Sequence, residues 1–395
     1  MSRTVPRPRT ATAGTTVSLF VLSIWAPASA AEPAPAPAVP DTWRRPPIVD
    51  VHVHTSPERY ADAEQLLAAT GVSRFVNLSG GAPGDGLEES LEAAREYDGR
   101  IIVCVNPEWH RINEPDFGAN QAKMIEQAAA MGVRCVKVSK ALGLGVPDPD
   151  NAEKFLAVDD ARLDPIWDAA GRLGLPVFIH TGDPKAFFEP LTPANERWDE
   201  LEVHPGWAFA DPKFPRLETL LAQRDHMLAK HRGTTFIGVH FGCYPESLDY
   251  FEKVMAENPN LWVDVAARVP EIGRHDPKRL HDDFVKYQDR ILFGTDLGVS
   301  RGLMLGSTGR DKPNISDAFL FYADQFRFFE TWDRNIPHPT PIQGRWTINA
   351  IGLPAEVLEK VYSRNALRLL WHEDAPNAGD FRILRESDGP AAYFP

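Results

Sequence analysis

The chain has 395 residues, 43% of them hydrophobic and 10% aromatic, enough apolar material for one large domain or two ordinary ones. Its formal net charge of -13 repels phosphate backbones and anionic lipid surfaces, which disfavours nucleic acid and membranes as partners and leaves a small-molecule substrate or a homo-oligomer open. Three cysteines without a C-x-x-C spacing make neither a disulfide framework nor a zinc ribbon.

In chain order, residues 1–30 read as a secretory signal peptide. Arg3, Arg7 and Arg9 precede the apolar stretch "TTVSLFVLSIWAP", and Ala28-Ser29-Ala30 is a small-x-small cleavage site. The apolar part is short for a membrane span, so the mature chain is expected to be exported, to the periplasm or beyond, without an anchor. Residues 31–47, "AEPAPAPAVPDTWRRPP", form a Pro/Ala-rich linker with no means to build a packed element.

From residue 48 a rhythm begins. Apolar runs recur at 48–54, 74–80, 101–107, 133–139, 176–182, 234–242, 261–267 and 290–296. Between them lie helical patterns such as "LEESLEAAREY", "QAKMIEQAAAMG" and "LDPIWDAAGRLG", several ending in the glycine that caps a helix. Strands alternating with helices predict the α/β class, and eight of them predict a TIM-type (β/α)8 barrel over 48–395 with a C-terminal helical extension. An open doubly wound sheet shares the alternation, but no Gly-x-Gly-x-x-Gly turn favours it.

Long insertions follow strand five (183–214) and strand eight (299–317), both on the face of a barrel where active sites form. Trp198, Trp207, Phe187, Phe188 and Phe209 in the first suggest an aromatic-lined lid. Cys104 and Cys135 sit in strand-like runs and are expected as buried thiols, a bridge between them being the alternative that export would permit.

The stretch "PPIVDVHVHT" (46–55) concentrates the chemistry. Side chains alternate along a strand, so Asp50, His52 and His54 are expected on one face. In a barrel the C-terminal strand ends converge on one mouth, which here collects His52 and His54 from strand one, His180 from strand five, His240 from strand six and Asp296 from strand eight. Each such group left unpaired and buried costs roughly 1–3 kcal/mol. A divalent cation bound by three nitrogens and one oxygen removes that cost and suits zinc, with manganese or iron as alternatives. His110, His226, His231, His275, His281, His338 and His372 fall on helices or loops and are read as structural.

"IVDVHVHT", "VFIHTGDP", "FIGVHFGCYPE", "NLWVDVAA", "ILFGTDLG" and "VYSRNALRLL" together resemble the strand-end motifs of the amidohydrolase superfamily, over about residues 48–371. The similarity is to the amidohydrolase-related (amidohydrolase 2) branch that includes aminocarboxymuconate semialdehyde decarboxylase-like enzymes. The resemblance implies that His52, His54, His180 and Asp296 hold one metal, with His240 as the adjacent catalytic imidazole and Asn365 in a structural role. Lys137 lies on strand four, where binuclear members keep a carbamylated bridging lysine; here Lys137 or Lys140 is read instead as a substrate-anion anchor or a solvated strand-end charge.

A metal of this kind lowers the pKa of bound water from 15.7 to ~7. Asp296 would take the proton and pass it on, and His240 would polarise the scissile carbonyl. The expected activity is therefore a metal-dependent hydrolysis of an amide, ester or lactone in a small, carboxylated or aromatic substrate. The alternative is a metal-dependent decarboxylase (carboxy-lyase) using the same residues. Arg197 or Arg268 would pair with a substrate carboxylate or serve as a structural ion pair.

Overall fold

The computed structural model describes residues 44–374; the expected signal peptide, the linker up to residue 43 and the chain beyond 374 lie outside the described residues. Eight strands form a curled parallel sheet in sequential order: β1 (Ile48–Thr55), β2 (Val72–Asn77), β3 (Ile101–Val105), β4 (Cys135–Val138), β5 (Val177–Ile179), β6 (Phe236–Gly238), β7 (Leu261–Asp264) and β8 (Ile291–Leu292). All eight expected runs become strands, as a TIM-type barrel requires.

The barrel closes through a broken strand. After Leu292 the chain leaves β7, and β9 (Leu297–Val299) pairs in parallel with β1, Val53 opposite Leu297. Two hydrogen bonds stitch the gap, Val51 N to the Phe293 carbonyl at 3.0 Å and Asp296 N to the His52 carbonyl at 2.9 Å. β10 (Leu303–Leu305) folds back antiparallel on β9.

The helices on the outside are α1 (Tyr60–Ala69), α2 (Leu87–Arg95), α3 (Phe117–Met131), α4 (Asp164–Leu173), α5 (Leu217–Lys230), α6 (Leu248–Glu257), α7 (Pro277–Lys286) and α8 (Ile315–Glu330). α4 buries Ile166, Trp167 and Ala170, spaced as one face of a helix requires. α3 and α4 stop at Gly132 (φ 113°) and Gly174 (φ 67°), left-handed positions that a side chain would strain.

Two apolar clusters follow from strand alternation. The larger fills the space between sheet and helices. The smaller takes inward residues from nearly every strand, among them Val51, Val76, Cys104, Cys135, Phe178, Ile237 and Leu292, and is closed below by Leu367, Leu370 and Trp371. Cys104 and Cys135 face each other across β3 and β4 and are joined in a disulfide, not held as two thiols. Parallel register brings their Cα atoms to 4.5 Å, which two positions separated by 31 residues do not disclose in sequence.

β1 also departs from simple alternation. Asp50 pairs with Phe75 and Val53 with Asn77, so β1 holds one residue more than β2 over this stretch. The extra residue lets Val49 and Val51 face the interior below and His52 face the mouth above. Asp50 turns to the helix layer instead, accepting hydrogen bonds from Thr295 Oγ1 (2.6 Å) and from Tyr322 Oη on α8 (2.7 Å). The expectation that it shares the histidines' face is corrected by this bulge.

Candidate metal centre

The four strand-end histidines are each held by a partner behind the ring. His52 is 1% exposed, and its Nδ1 lies 2.8 Å from Asp264 Oδ2. A carboxylate only accepts, so Nδ1 carries the proton and Nε2 keeps its lone pair. That Nε2 is buried with no hydrogen-bond partner, 3.6 Å from Asp296 Oδ1. His54 places its Nδ1 2.7 Å from Ser79 Oγ and its Nε2 3.4 Å from the same Asp296 oxygen. Two imidazole nitrogens and a carboxylate oxygen thus converge from β1 and the end of β8, each imidazole oriented from behind as metal-binding histidines usually are.

His240 sits in the left-handed region (φ 57°), as does Asp296 (φ 62°), a strain of order 1–3 kcal/mol each that surrounding contacts must offset. The twist at His240 is fixed by Asp264 Oδ1, which accepts from the His240 backbone N–H at 2.8 Å. Its ring lies 4.8 Å from that of His52 and 4.4 Å from that of His180. His240 Nδ1 donates to the Ala266 carbonyl at 2.8 Å, leaving Nε2 as an acceptor. The expected role of His240 as a donor to a carbonyl therefore does not match its neutral tautomer.

His180 is brought to the same mouth, but its Nε2 lies 3.3 Å from Asp183 Oδ1. Asp183 is a buried hub: Lys140 Nζ donates to it at 2.5 Å and Arg268 Nη2 stands 3.6 Å away. The Lys140 ammonium also lies 5.0 Å from the Trp207 ring, with Phe187 and Phe209 at 5.8 and 5.6 Å. Three of the five aromatic residues expected as a lid thus surround a lysine, and Phe187 and Phe209 belong to the core. Lys137 points into the centre from β4, 5% exposed, its Nζ unpartnered.

Arg197 is not brought to the centre. It is 1% exposed, with Nη2 3.0 Å from Glu271 and Nη1 donating to the Gln343 carbonyl at 3.0 Å. Asn365 donates to the Ile291 and Gln288 carbonyls below β8, a structural placement.

Burial sets the protonation states. It drives His54 and His240 well below the usual imidazole range, helped by neighbouring imidazoles and Lys137, and takes His180 down to about 3 against the pull of Asp183. It raises Asp296 and lowers Lys137. Asp264 and Asp183 are buried too, but burial is outweighed at Asp264 by His52 and its hydrogen bonds, then Lys137, and at Asp183 by Lys140, His180 and Arg268, which holds both below the usual carboxylate range. The centre therefore offers neutral imidazoles at His54, His180 and His240 and ionised carboxylates at Asp264 and Asp183 behind them, the state that binds a cation.

Asp264, Asp183 and Ser79 were not assigned from sequence. Asp264 had a signal: it ends β7 in "NLWVDVAA", the one motif of the set left without a polar role. Beside His54 a cavity of about 1050 Å³ opens over β1, β2 and the β9–β10 hairpin, lined by Ser79, Gly80, Arg301, Met304 and Lys312 among others.

The family model described as Amidohydrolase matches residues 27–370. No curated protein matches in sequence. Among solved structures, the chain is similar to 2,6-dihydroxybenzoate decarboxylase from Rhizobium (16% identity, 82% of this chain and 98% of that one, TM-score 0.48). It is also similar to dihydroorotase from Campylobacter jejuni (11%, 85% and 86%, 0.47) and to 4-oxalomesaconate hydratase from Rhodopseudomonas palustris (14%, 82% and 95%, 0.44). With the family model spanning most of its length and the expected strand ends gathered at one barrel mouth, the chain belongs to the amidohydrolase superfamily, in its amidohydrolase 2 branch, and is an enzyme of that family.

Proposed function

We propose that the chain is an exported, metal-dependent hydrolase that cleaves an amide, ester or lactone of a small, carboxylated or aromatic substrate. The observation that carries this reading is the buried, unpartnered His52 Nε2, aimed with His54 Nε2 at one oxygen of Asp296. His52, His54 and Asp296 would hold one divalent cation, with His180 completing the set after release from Asp183. Zinc suits this donor set best, manganese or iron next. When bound, such a cation supplies Lewis acidity and an acidified water at neutral pH.

The chain's own groups move the protons. Asp296, raised by burial, accepts a proton and returns it to the leaving group. His240 presents an acceptor nitrogen and steadies a hydrogen of the substrate or water. Export is supported by the signal-like first thirty residues and by the Cys104–Cys135 disulfide, which persists in oxidising compartments.

The deciding experiment measures metal per chain for residues 31–395 purified without chelator, against Asp296→Ala, followed by a screen of esters, lactones and carboxylated substrates. About one metal, reduced in the variant, with hydrolysis of a screened substrate supports the proposal. Carbon dioxide release without water consumption would replace it with the carboxy-lyase reading. No metal after reconstitution with zinc and manganese would end it.

A further inference from the structure

The cavity beside His54 shares a wall with a second one. Thr308, Gly309, Asp311, Lys312 and Pro313, in the segment that follows β10, line it and also line a groove of about 600 Å³ against α8 and residues 339–342. The shared wall is pinned in place. The Gly306 N–H donates to the Asp296 carbonyl at 3.2 Å, Thr308 Oγ1 lies 2.6 Å from His204 Nε2, and Arg310 pairs with Glu202 at 3.1 Å. Gly309 packs so closely on Ile342 that a Cβ there would stand 2.4 Å from its Cδ1. The groove is therefore held in a fixed relation to the cavity and to Asp296.

Its walls are apolar where they are free. Leu305, Leu320, Phe321, Pro339, Pro341 and Ile342 line it. α8 turns one face to it, with Asp317, Leu320, Phe321 and Asp324 at the helical spacing of three, four and seven. The carboxylates nearby are mostly committed elsewhere: Asp199 to Arg345 at 2.9 Å, Glu202 to Arg310, and Asp317 to the Asn314 N–H in the cap of α8 at 2.8 Å. Burial raises the Asp324 carboxyl, as a poorly hydrated wall would. Leu320 is nevertheless 62% exposed, one of three large apolar side chains exposed among the described residues. A lone exposed leucine is ordinary, but this one borders an apolar groove that continues the catalytic cavity.

We infer that this groove is the outer part of the substrate site and takes an uncharged apolar chain, carried past the 308–313 segment while the scissile group stays at the metal centre. This rests on the metal-hydrolase reading and adds a tail to the reacting portion of its substrate. The substrate class is thus an amide, ester or lactone bearing an extended alkyl or acyl chain. The acidic groups around the groove disfavour an anionic end to that chain.

The test titrates the protein as purified, metal included, by calorimetry with acetohydroxamate, hexanohydroxamate and dodecanohydroxamate below their micelle concentrations. The hydroxamate anchors each probe on the metal, and the chain reports what lies beyond it. A fully buried methylene is worth roughly fourfold in affinity, so dodecanohydroxamate is expected to bind wild type at least roughly tenfold more tightly than hexanohydroxamate. Leu320→Asn is expected to lose most of that step and to keep the acetohydroxamate affinity and the metal content of wild type. Ile315→Asn, equally exposed on α8 but outside the groove lining, should keep the step, which separates the groove from general adhesion to an apolar surface. No step in wild type, a step untouched in Leu320→Asn, or a step lost equally in Ile315→Asn would overturn the outer site and leave the metal-hydrolase reading standing. That reading fails instead on absence of metal, and the outer site, anchored on it, falls with it.

Discussion

At the scale of single residues, Asp264 is the pivot of the centre. One carboxylate oxygen fixes the proton of His52 and the other holds the left-handed turn at His240. Asp264→Asn keeps the shape but makes an acceptor into a partial donor, so the His52 tautomer loses its anchor. Metal affinity is expected to fall by roughly 10–100-fold, the usual effect of losing such a partner, read by chelator competition. A second residue-scale expectation concerns acid. His338 is buried against Trp346, and burial pushes its pKa down to about 4. The unfolded chain, with imidazole near 6.5, then takes up more protons than the folded one, so stability is complete above that value and lost as pH falls toward 4. At pH 5 the loss from this residue is about 2 kcal/mol. Denaturant titrations at pH 7 and pH 5 should show a smaller gap in His338→Gln.

At the scale of elements, the barrel depends on two departures from regular strands. The extra residue in β1 sends Asp50 outward to Thr295 and Tyr322 and so ties the broken strand to both β1 and α8. The disulfide joins β3 to β4 inside the barrel, two residues below Lys137. Closing a loop of 31 residues' separation constrains the unfolded chain by roughly 3–4 kcal/mol in the chain-entropy account. The Cys104→Ala/Cys135→Ala pair is expected to lose a comparable amount in denaturant melts under oxidising conditions. Wild type in strong reductant should approach the double variant, whereas coincident melts for all three would mean the bond contributes nothing.

At the scale of the whole molecule, the two long segments over the mouth hold each other. Ser307 donates to Glu200, Thr308 Oγ1 and His204 Nε2 are 2.6 Å apart, and Arg310 pairs with Glu202 at 3.1 Å. Arg197 carries the chain after β5 onto the chain after β7 through Glu271. Arg197→Met removes the cation facing two buried carboxylates, Glu200 and Glu271, and is expected to destabilise the protein by roughly 3–5 kcal/mol. Metal affinity at a temperature where the variant is folded should be unchanged, which separates this structural role from the substrate role considered from sequence. Exposed ion pairs such as Arg279 with Asp249 and Glu252, by contrast, are each worth little.

Local pattern alone determined the strand count, the helices between strands and the identity of the strand-end histidines, because a period of two or of 3.6 and a residue's place at the end of an apolar run are properties of neighbouring positions. His52, His54, His180, His240 and Asp296 were legible for that reason, and the barrel mouth collects them all. Which way a side chain points after a bulge was not legible, since one inserted residue reverses every face beyond it; Asp50 was misplaced on that account. Nor were the partners of long-range pairs. The Cys104–Cys135 bond depends on the register of two strands, and the burial of Arg197 beside Glu271 on a contact between segments more than seventy residues apart. The surroundings of Lys137 are of the same kind: a sequence shows a charge, and only the packed molecule shows that it is buried at the barrel mouth without a hydrogen bond.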